Sequence, residues 1–305
     1  MIDRRIKIRH LQCFAEVVRC GSLKAAADRL GLTQPAMSRT LSELEDILGT
    51  RIVQRHRSGA TLTPAGDVFW SYIRTSLAAL QQGVDGLGQI GAQGGGILTI
   101  GALPSVAASL VPRVAQRLQE QRLAIGLRIQ EGAHADLIDR LHDGALDVVI
   151  GRLGSLDRMQ GLTFSQLYTE TVVFVVRPGH PLGADATLPA ILDYPVVCPP
   201  AKSAIHPLVE AFFLAKGIGD IPNRIESVSA AFGRAFALAS DAVWIISRGV
   251  AANDIAAGQL RTLPIDAPST RGPIGLIARS DQTRSANLDA LETVIRTLLA
   301  EEKAA

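Results

Sequence analysis

The sequence predicts an N-terminal winged helix-turn-helix, all-α with a small wing, joined by a long helix to an α/β body of two subdomains. Three observations carry that expectation. Basic charge concentrates at the front: residues 1–62 hold 11 Lys/Arg against 6 Asp/Glu, whereas residues 63–305 hold 20 against 23. Residues 22–48 read as two helices separated by a glycine-containing turn. From Ile97 onward, short apolar runs rich in β-branched residues alternate with helical stretches.

Composition bounds the class. With 305 residues, 47% hydrophobic and 20% charged, the chain has room for two or three domains and a substantial core. No apolar run approaches the roughly 18 residues that cross a bilayer. The start, MIDRRIKIRH, is charged and lacks the apolar stretch of a secretory signal, which reads as a cytoplasmic chain without membrane contact. Cys13, Cys20 and Cys198 form no C-x-x-C pair and read as reduced thiols. The histidines show no metal-ligand spacing, so neither a metal nor a cofactor is expected.

The first helix of the pair begins after Ser22, a favourable N-cap, and places Leu23, Ala26, Ala27 and Leu30 on one face. Gly31 tolerates the left-handed backbone that ends a helix. Thr33 is the next N-cap, and Pro35 sits in the first turn, where a missing N–H costs little. Met37, Leu41, Leu44 and Leu48 then form one buried stripe, and the paired alanines allow two steeply crossing helices to approach closely. On the solvent side, Gln34, Ser38 and Arg39 lie near the N-terminal end, where a recognition helix meets bases. Gln pairs with adenine, Arg with guanine or phosphate, and the Pro35 ring suits a thymine methyl. Two β-type runs, Arg51–Gln54 and Ala60–Leu62, flank a turn with Arg55, His56, Arg57 and Gly59, a wing whose arginine reaches the backbone or minor groove. The bland alternative is a pair of packed helices with a solvated hairpin.

Thr63 and Pro64 open a long helical pattern. Ile73, Leu77, Leu80, Val84 and Leu87 recur at steps of four and three, a seam for pairing with a second copy. Its end, GLGQIG at Gly86 to Gly91, fits G-x-G-x-x-G. No strand precedes it, so a dinucleotide loop is excluded, and the glycines read as a hinge before Gly94, Gly95 and Gly96. The expected domains are 1–62, 63–93 and 94–305.

The body's β-runs fall into two groups with two chain crossings, giving largely parallel sheets in subdomain I (about 97–164 and 268–305) and subdomain II (about 165–267). A cleft between them suits a small ligand. Ser105 opens the helix after the first strand, where free N–H groups favour an anion. Arg152 ends the strand LDVVIGR and offers a bidentate fork to a carboxylate. Ser203 stands before a helix with Lys202 and His206 nearby, and His134 follows the second strand. For Lys202, His134 and His206, a solvated surface role is the equal alternative.

The succession F-A-E-V-V-x-x-G-S-L-x-x-A-A-x-x-L, T-Q-P-A-M-S-R-T-L-S-E-L-E-x-x-L-G and L-T-P-A-G resembles the LysR-type transcriptional regulators over about residues 8–66. The resemblance implies DNA contacts at Gln34, Pro35, Ser38, Arg39 and Arg55, with the caps Ser22 and Thr33 counted beside them. The body resembles that family's effector-binding half, which has the fold of periplasmic binding proteins. The stretches GALPSVAASLVP, GALDVVIGRL and SDAVWIISRGV are most similar to a subgroup that activates protocatechuate-degradation operons. This implies a β-carboxy-cis,cis-muconate-like carboxylate inducer, an inverted-repeat site in double-stranded DNA, RNA polymerase as partner, and a homotetramer built as a dimer of dimers. Ser240–Trp244 departs from the wider family, where a Gly-rich turn is usual, and matches the subgroup. A regulator of another pathway with a different acid is the nearest alternative. An enzyme with a fused DNA-binding domain needs a catalytic constellation, and no G-x-S-x-G, P-loop or carboxylate pair is present. A solute-binding transport protein needs export.

Overall fold

A computed structural model describes residues 3–56, 59–90, 96–154, 158–280 and 284–304. Arg57, Gly91, Gly94 and Gly95 lie outside the described residues, as does the side chain of Leu87. The chain divides into two compact units, residues 1–88 with 142–144, and residues 89–141 with 145–305.

The first unit contains α1 (Ile8–Cys20), α2 (Leu23–Leu30), α3 (Gln34–Leu48), the wing strands β1 (Val53–His56) and β2 (Gly59–Leu62), and α4 (Pro64–Ile90). The expected caps form. The Ser22 hydroxyl accepts from Ala25 N–H, that of Thr33 from Ala36 N–H, and Gly31 ends α2 at φ +65°. Ala26 and Ala27 are buried against Phe14, Met37, Leu41 and Leu44, so the small residues do sit at the helix crossing. Strand β2 begins one residue earlier than its sequence pattern suggested, at Gly59, and the first wing strand runs two residues later, so that Arg55 and His56 belong to β1. The cause is Glu45. Its buried carboxylate accepts from the Ile52 and Val53 N–H groups at 3.0 and 3.1 Å, so the chain pairs only after Ile52.

Helix α4 continues through Gly86 and Gly88 to Ile90, so most of the GLGQIG stretch is helical. Its proposed seam requires a correction. Ile73 is only 7% exposed and belongs to the core of its own unit, with Leu77, Phe69 and Trp70 packed beside it. Phe14 meets Phe69 at 5.5 Å between ring centroids and Trp70 edge-on at 6.0 Å. Among the described side chains of that stripe, Leu80 (52%) and Val84 (64%) face outward.

The second unit holds two five-stranded sheets. One has order β4-β3-β5-β12-β6, from β3 (Ile97–Ala102), β4 (Gly126–Glu131), β5 (Val148–Arg152), β6 (Leu162–Glu170) and β12 (Gly272–Arg279). The other has order β11-β7-β10-β8-β9, from β7 (Val172–Val176), β8 (Val196–Cys198), β9 (Arg224–Glu226), β10 (Val243–Ser247) and β11 (Arg261–Thr262). Each sheet is mixed rather than largely parallel: β3 pairs β4 and β5 in parallel, and β8 pairs β9 and β10 in parallel, while β12, β7 and β11 pair antiparallel. Helices α5 (Pro104–Glu120), α6 (His134–His142) and α10 (Ala286–Ala304) accompany the first sheet. Helices α7 (His206–Ala215), α8 (Ala230–Ala239) and α9 (Arg248–Ala256) accompany the second. Because β6 stays in the first sheet as far as Glu170, the outward crossing falls at Thr171 rather than near residue 165, and the return lies at Pro268–Arg271. Three apolar clusters result among the described residues of this unit, one around Ile100, Val149 and Ile277, and two on the second sheet, around Phe174, Val196 and Phe212 and around Val175, Val197 and Trp244.

Glu45→Ala leaves two buried N–H groups without their acceptor. It is expected to destabilise the first unit by about 1–3 kcal/mol, measured as early loss of hydrogen-exchange protection at Ile52 and Val53.

Candidate functional site

In the first unit, α3 presents its N-terminal half outward. Gln34, Pro35 and Arg39 are exposed, and Gln34 and Arg39 make no hydrogen bond or ion pair among the described residues. Ser38 is half-buried and accepts from Arg55. The helix's acidic residues, Glu43, Glu45 and Asp46, all lie in its C-terminal half. Glu45 is consumed by the wing, and Glu43 lies 3.5 Å from Arg9 and 3.4 Å from His10. The outward N-terminal half is thus free of acid, and the positive end of the helix dipole adds to Arg39 and Arg55 there. Such a face accepts an anionic groove.

In the second unit, the two residues expected to anchor a ligand do converge, but on a carboxylate of the chain itself. Ser105 is the second residue of α5, and its hydroxyl donates to Glu170 Oε2 at 2.8 Å. Gly249, the second residue of α9, donates its N–H to Glu170 Oε1 at 3.0 Å. Arg152, 6% exposed, approaches Glu170 Oε2 at 4.0 Å and donates to the carbonyls of Thr270 and Glu170, both at 3.4 Å. The cluster therefore joins both crossings and two helix starts. Two glycines make room for it: a Cβ at Gly272 would stand 2.4 Å from Arg152 Nη1, and one at Gly249 2.6 Å from Glu170 Oε1. Burial, first among the causes, raises the Glu170 pKa above its ordinary 4.5, against the opposing pull of Ser105, Arg152 and the Gly249 N–H. Burial likewise lowers that of Arg152. These groups brace the crossing, so Ser105 and Arg152 are corrected from open ligand anchors to partners of Glu170. The sequence pattern of a strand-end arginine and a helix-start serine is the same in either role. Glu170 carries little sequence signal, because β6, LTFSQLYTE, mixes polar and apolar positions and does not read as a buried strand.

The other predicted positions are less committed. Lys202 and Ser203 occupy the segment between β8 and α7, His206 is the first residue of α7, and Ala204 packs against the core of the first sheet. The Ser203 hydroxyl accepts from Ile205 N–H at 3.5 Å, His206 Nδ1 lies 3.0 Å from the Pro199 carbonyl, and Lys202 is exposed. His134 begins α6. Neither ring nitrogen is exposed or hydrogen-bonded among the described residues, and burial, helped by the Arg158 charge, lowers its pKa below 6.5. It is a neutral imidazole at neutral pH. In the departure segment, Asp241 accepts from Arg177 Nη2 at 2.7 Å, and the Trp244 ring lies against Gly233. The three cysteines are free, and burial pushes the Cys198 thiol up to about 12. No helix among the described residues is long and apolar enough to cross a membrane.

A winged helix with an acid-free recognition face, followed by two wound subdomains, defines a DNA-binding regulator with an effector domain. Comparison with known families agrees: residues 8–67 match the bacterial regulatory helix-turn-helix proteins of the lysR family, and residues 91–300 match the LysR substrate binding domain. The chain belongs to the LysR family of DNA-binding transcriptional regulators. It is 42% identical over 298 residues to the HTH-type transcriptional regulator PcaQ of Agrobacterium fabrum, covering 97% of this chain and 96% of that one. It is 32% identical over 297 residues to the regulator YdcI of Escherichia coli, covering 97% of each. These relatives are named as regulators, not enzymes. Among solved structures, full-length OxyR from Pseudomonas aeruginosa gives a TM-score of 0.63 at 23% identity over 95% of both chains. Full-length CbnR complexed with its target DNA gives 0.59 at 21% identity, covering 96% of this chain and 99% of that one. Both share the fold.

Removing Arg152 alone leaves a buried carboxylate without its cation. Arg152→Met is expected to destabilise the second unit by about 3–5 kcal/mol, and Arg152→Met/Glu170→Gln less, in chemical denaturation. Because the folded pKa of Glu170 is raised, its contribution is complete below 4.5 and is lost as pH rises through the folded value. Stability of the wild type relative to Glu170→Gln should therefore fall with rising pH across that window.

Proposed function

We propose that this protein activates aromatic-acid catabolic genes, most closely those of protocatechuate degradation, in response to a small carboxylate such as β-carboxy-cis,cis-muconate. The observation that carries this reading is the 42% identity to PcaQ over 97% of the chain, added to the subgroup stretches in the body. DNA is read by α3, with Gln34, Pro35, Ser38 and Arg39 toward the bases of an inverted-repeat promoter site and Ser22 and Thr33 fixing the helix starts. Recruitment of RNA polymerase by a cytoplasmic homotetramer, a dimer of dimers, completes the scheme.

The inducer's carboxylates fall to groups that Glu170 does not occupy: Lys202, the hydroxyl proton of Ser203 and His134, with His206 beside them. An inducer acts only through different affinity for two arrangements of the subdomains, and the braced crossing is the element it would bias.

Calorimetry with the muconate and related pathway acids tests this reading. Saturable binding of one such acid, weakened roughly tenfold or more (~1.4 kcal/mol per decade) in Lys202→Ala or His134→Ala, is the expected result. A protein that ignores every acid of this pathway but binds another metabolite would refute the pathway. Arg39→Ala should cost about 1–3 kcal/mol of specific DNA binding, and an unchanged sequence preference would remove it from the interface. For assembly, Leu80→Glu/Val84→Glu should split the native oligomer in sedimentation without unfolding the first unit.

A further inference from the structure

The wing and the recognition helix meet at one guanidinium. Arg55, on β1, donates from Nη1 to Ser38 Oγ at 2.8 Å and from Nη2 to Ser42 Oγ at 3.3 Å. The two serines stand one turn apart on α3, a spacing that the two terminal nitrogens of a planar fork can bridge and a single ammonium cannot. The position of Arg55 is itself fixed from several sides. Glu45 of the same helix holds the start of β1, Arg55 pairs with Ala60 of β2, and Ala60 N–H donates to the Gly21 carbonyl at 2.7 Å.

This arrangement changes what Ser38 can do. A free serine hydroxyl offers one donor and two acceptor sites, so it reads either kind of base edge. With a guanidinium donating into the oxygen, the hydroxyl proton turns away from Arg55. The adjacent positive charge polarises the O–H bond and repels a second donor. We propose that Arg55 is a specificity-setting positioning residue: it makes Ser38 a directed donor that reads a major-groove acceptor (a purine N7, guanine O6 or thymine O4) and rejects the amino groups of adenine and cytosine. The inference rests on α3 being the recognition helix. The charge of Arg55 serves the phosphate backbone equally at every sequence, whereas its fork acts on sequence preference. Arg55→Lys separates the two, because lysine keeps the charge and loses the bridge.

The test uses the full chain, a duplex selected by the wild-type protein from a random library, and an unselected duplex, each titrated at several salt concentrations. In Arg55→Lys, which retains the positive charge, the ratio of selected to unselected affinity should fall by roughly tenfold, the scale of one base contact, so that the loss falls on selected DNA more than on unselected DNA. Ser38→Ala should give the same loss, and the double variant no further loss. Analogues in the selected duplex that each delete one acceptor (a 7-deazapurine, 2-aminopurine or 5-methyl-2-pyrimidinone) should weaken the wild type at one position and leave Ser38→Ala and Arg55→Lys unaffected there. Full retention of the ratio in Arg55→Lys, or additive losses in the double variant, overturns the positioning role. If Gln34→Ala and Arg39→Ala reduce the ratio while Ser38→Ala does not, the inference fails and the recognition-helix reading stands. If no substitution on α3 alters the ratio, that reading fails as well.

Discussion

A carboxylate buried where the chain passes between its two sheets holds the second unit together. Glu170 closes β6, and Thr171 and β7 follow at once in the other sheet. The first residues of α5 and α9, the end of β5 and the return segment at Thr270 all reach this point through Ser105, Gly249 and Arg152. An ion buried this deeply is tolerated only because several donors replace its water, and each donor comes from a different element. The relative position of the two subdomains is thereby tied to one hydrogen-bond network, beside the packing of α5 against α9. A network of that kind has few alternative arrangements, which suits the two-state switch proposed above.

Much of the first unit was legible because its signals are local. Ser22, Gly31 and Thr33 act on N–H and C=O groups within a few residues, and their roles in the structure follow from backbone chemistry alone. Strand β1 begins two residues later than its pattern because Glu45, seven and eight positions before Ile52 and Val53, takes the N–H groups that β-pairing would have used. Periodicity also found the stripe on α4, but periodicity reports only that a face is covered. It does not say whether a neighbouring domain or another chain covers it, and Ile73 turned out to be covered from within.

The second unit was legible as alternation and less so as connection. Strand β6 mixes polar and apolar positions, LTFSQLYTE, so its membership of the first sheet depends on pairing with β12 more than one hundred residues later. Without β6, Glu170 had no place, and an arginine at a strand end next to a helix-start serine read as an unoccupied anion site. Arg152 and Ser105 do face a carboxylate, that of Glu170, Ser105 through its hydroxyl. What local sequence could not provide was the identity of the carboxylate.

Helix α4 serves two surfaces with one rigid rod. Its first turns are locked by Ile73, Phe69 and Trp70 into the same core that seats α3, while Leu80 and Val84 stand outward two to three turns further along. Rotation about the rod therefore phases whatever rests on Leu80 and Val84 against the base-facing side chains. A single residue inserted between Leu77 and Leu80 would preserve both ends and turn one against the other by about 100°. Helical phase, as distinct from contact strength, is thus a coordinate along which the outward face of α3 and the Leu80–Val84 stripe can be re-aimed against each other without altering a residue of either surface.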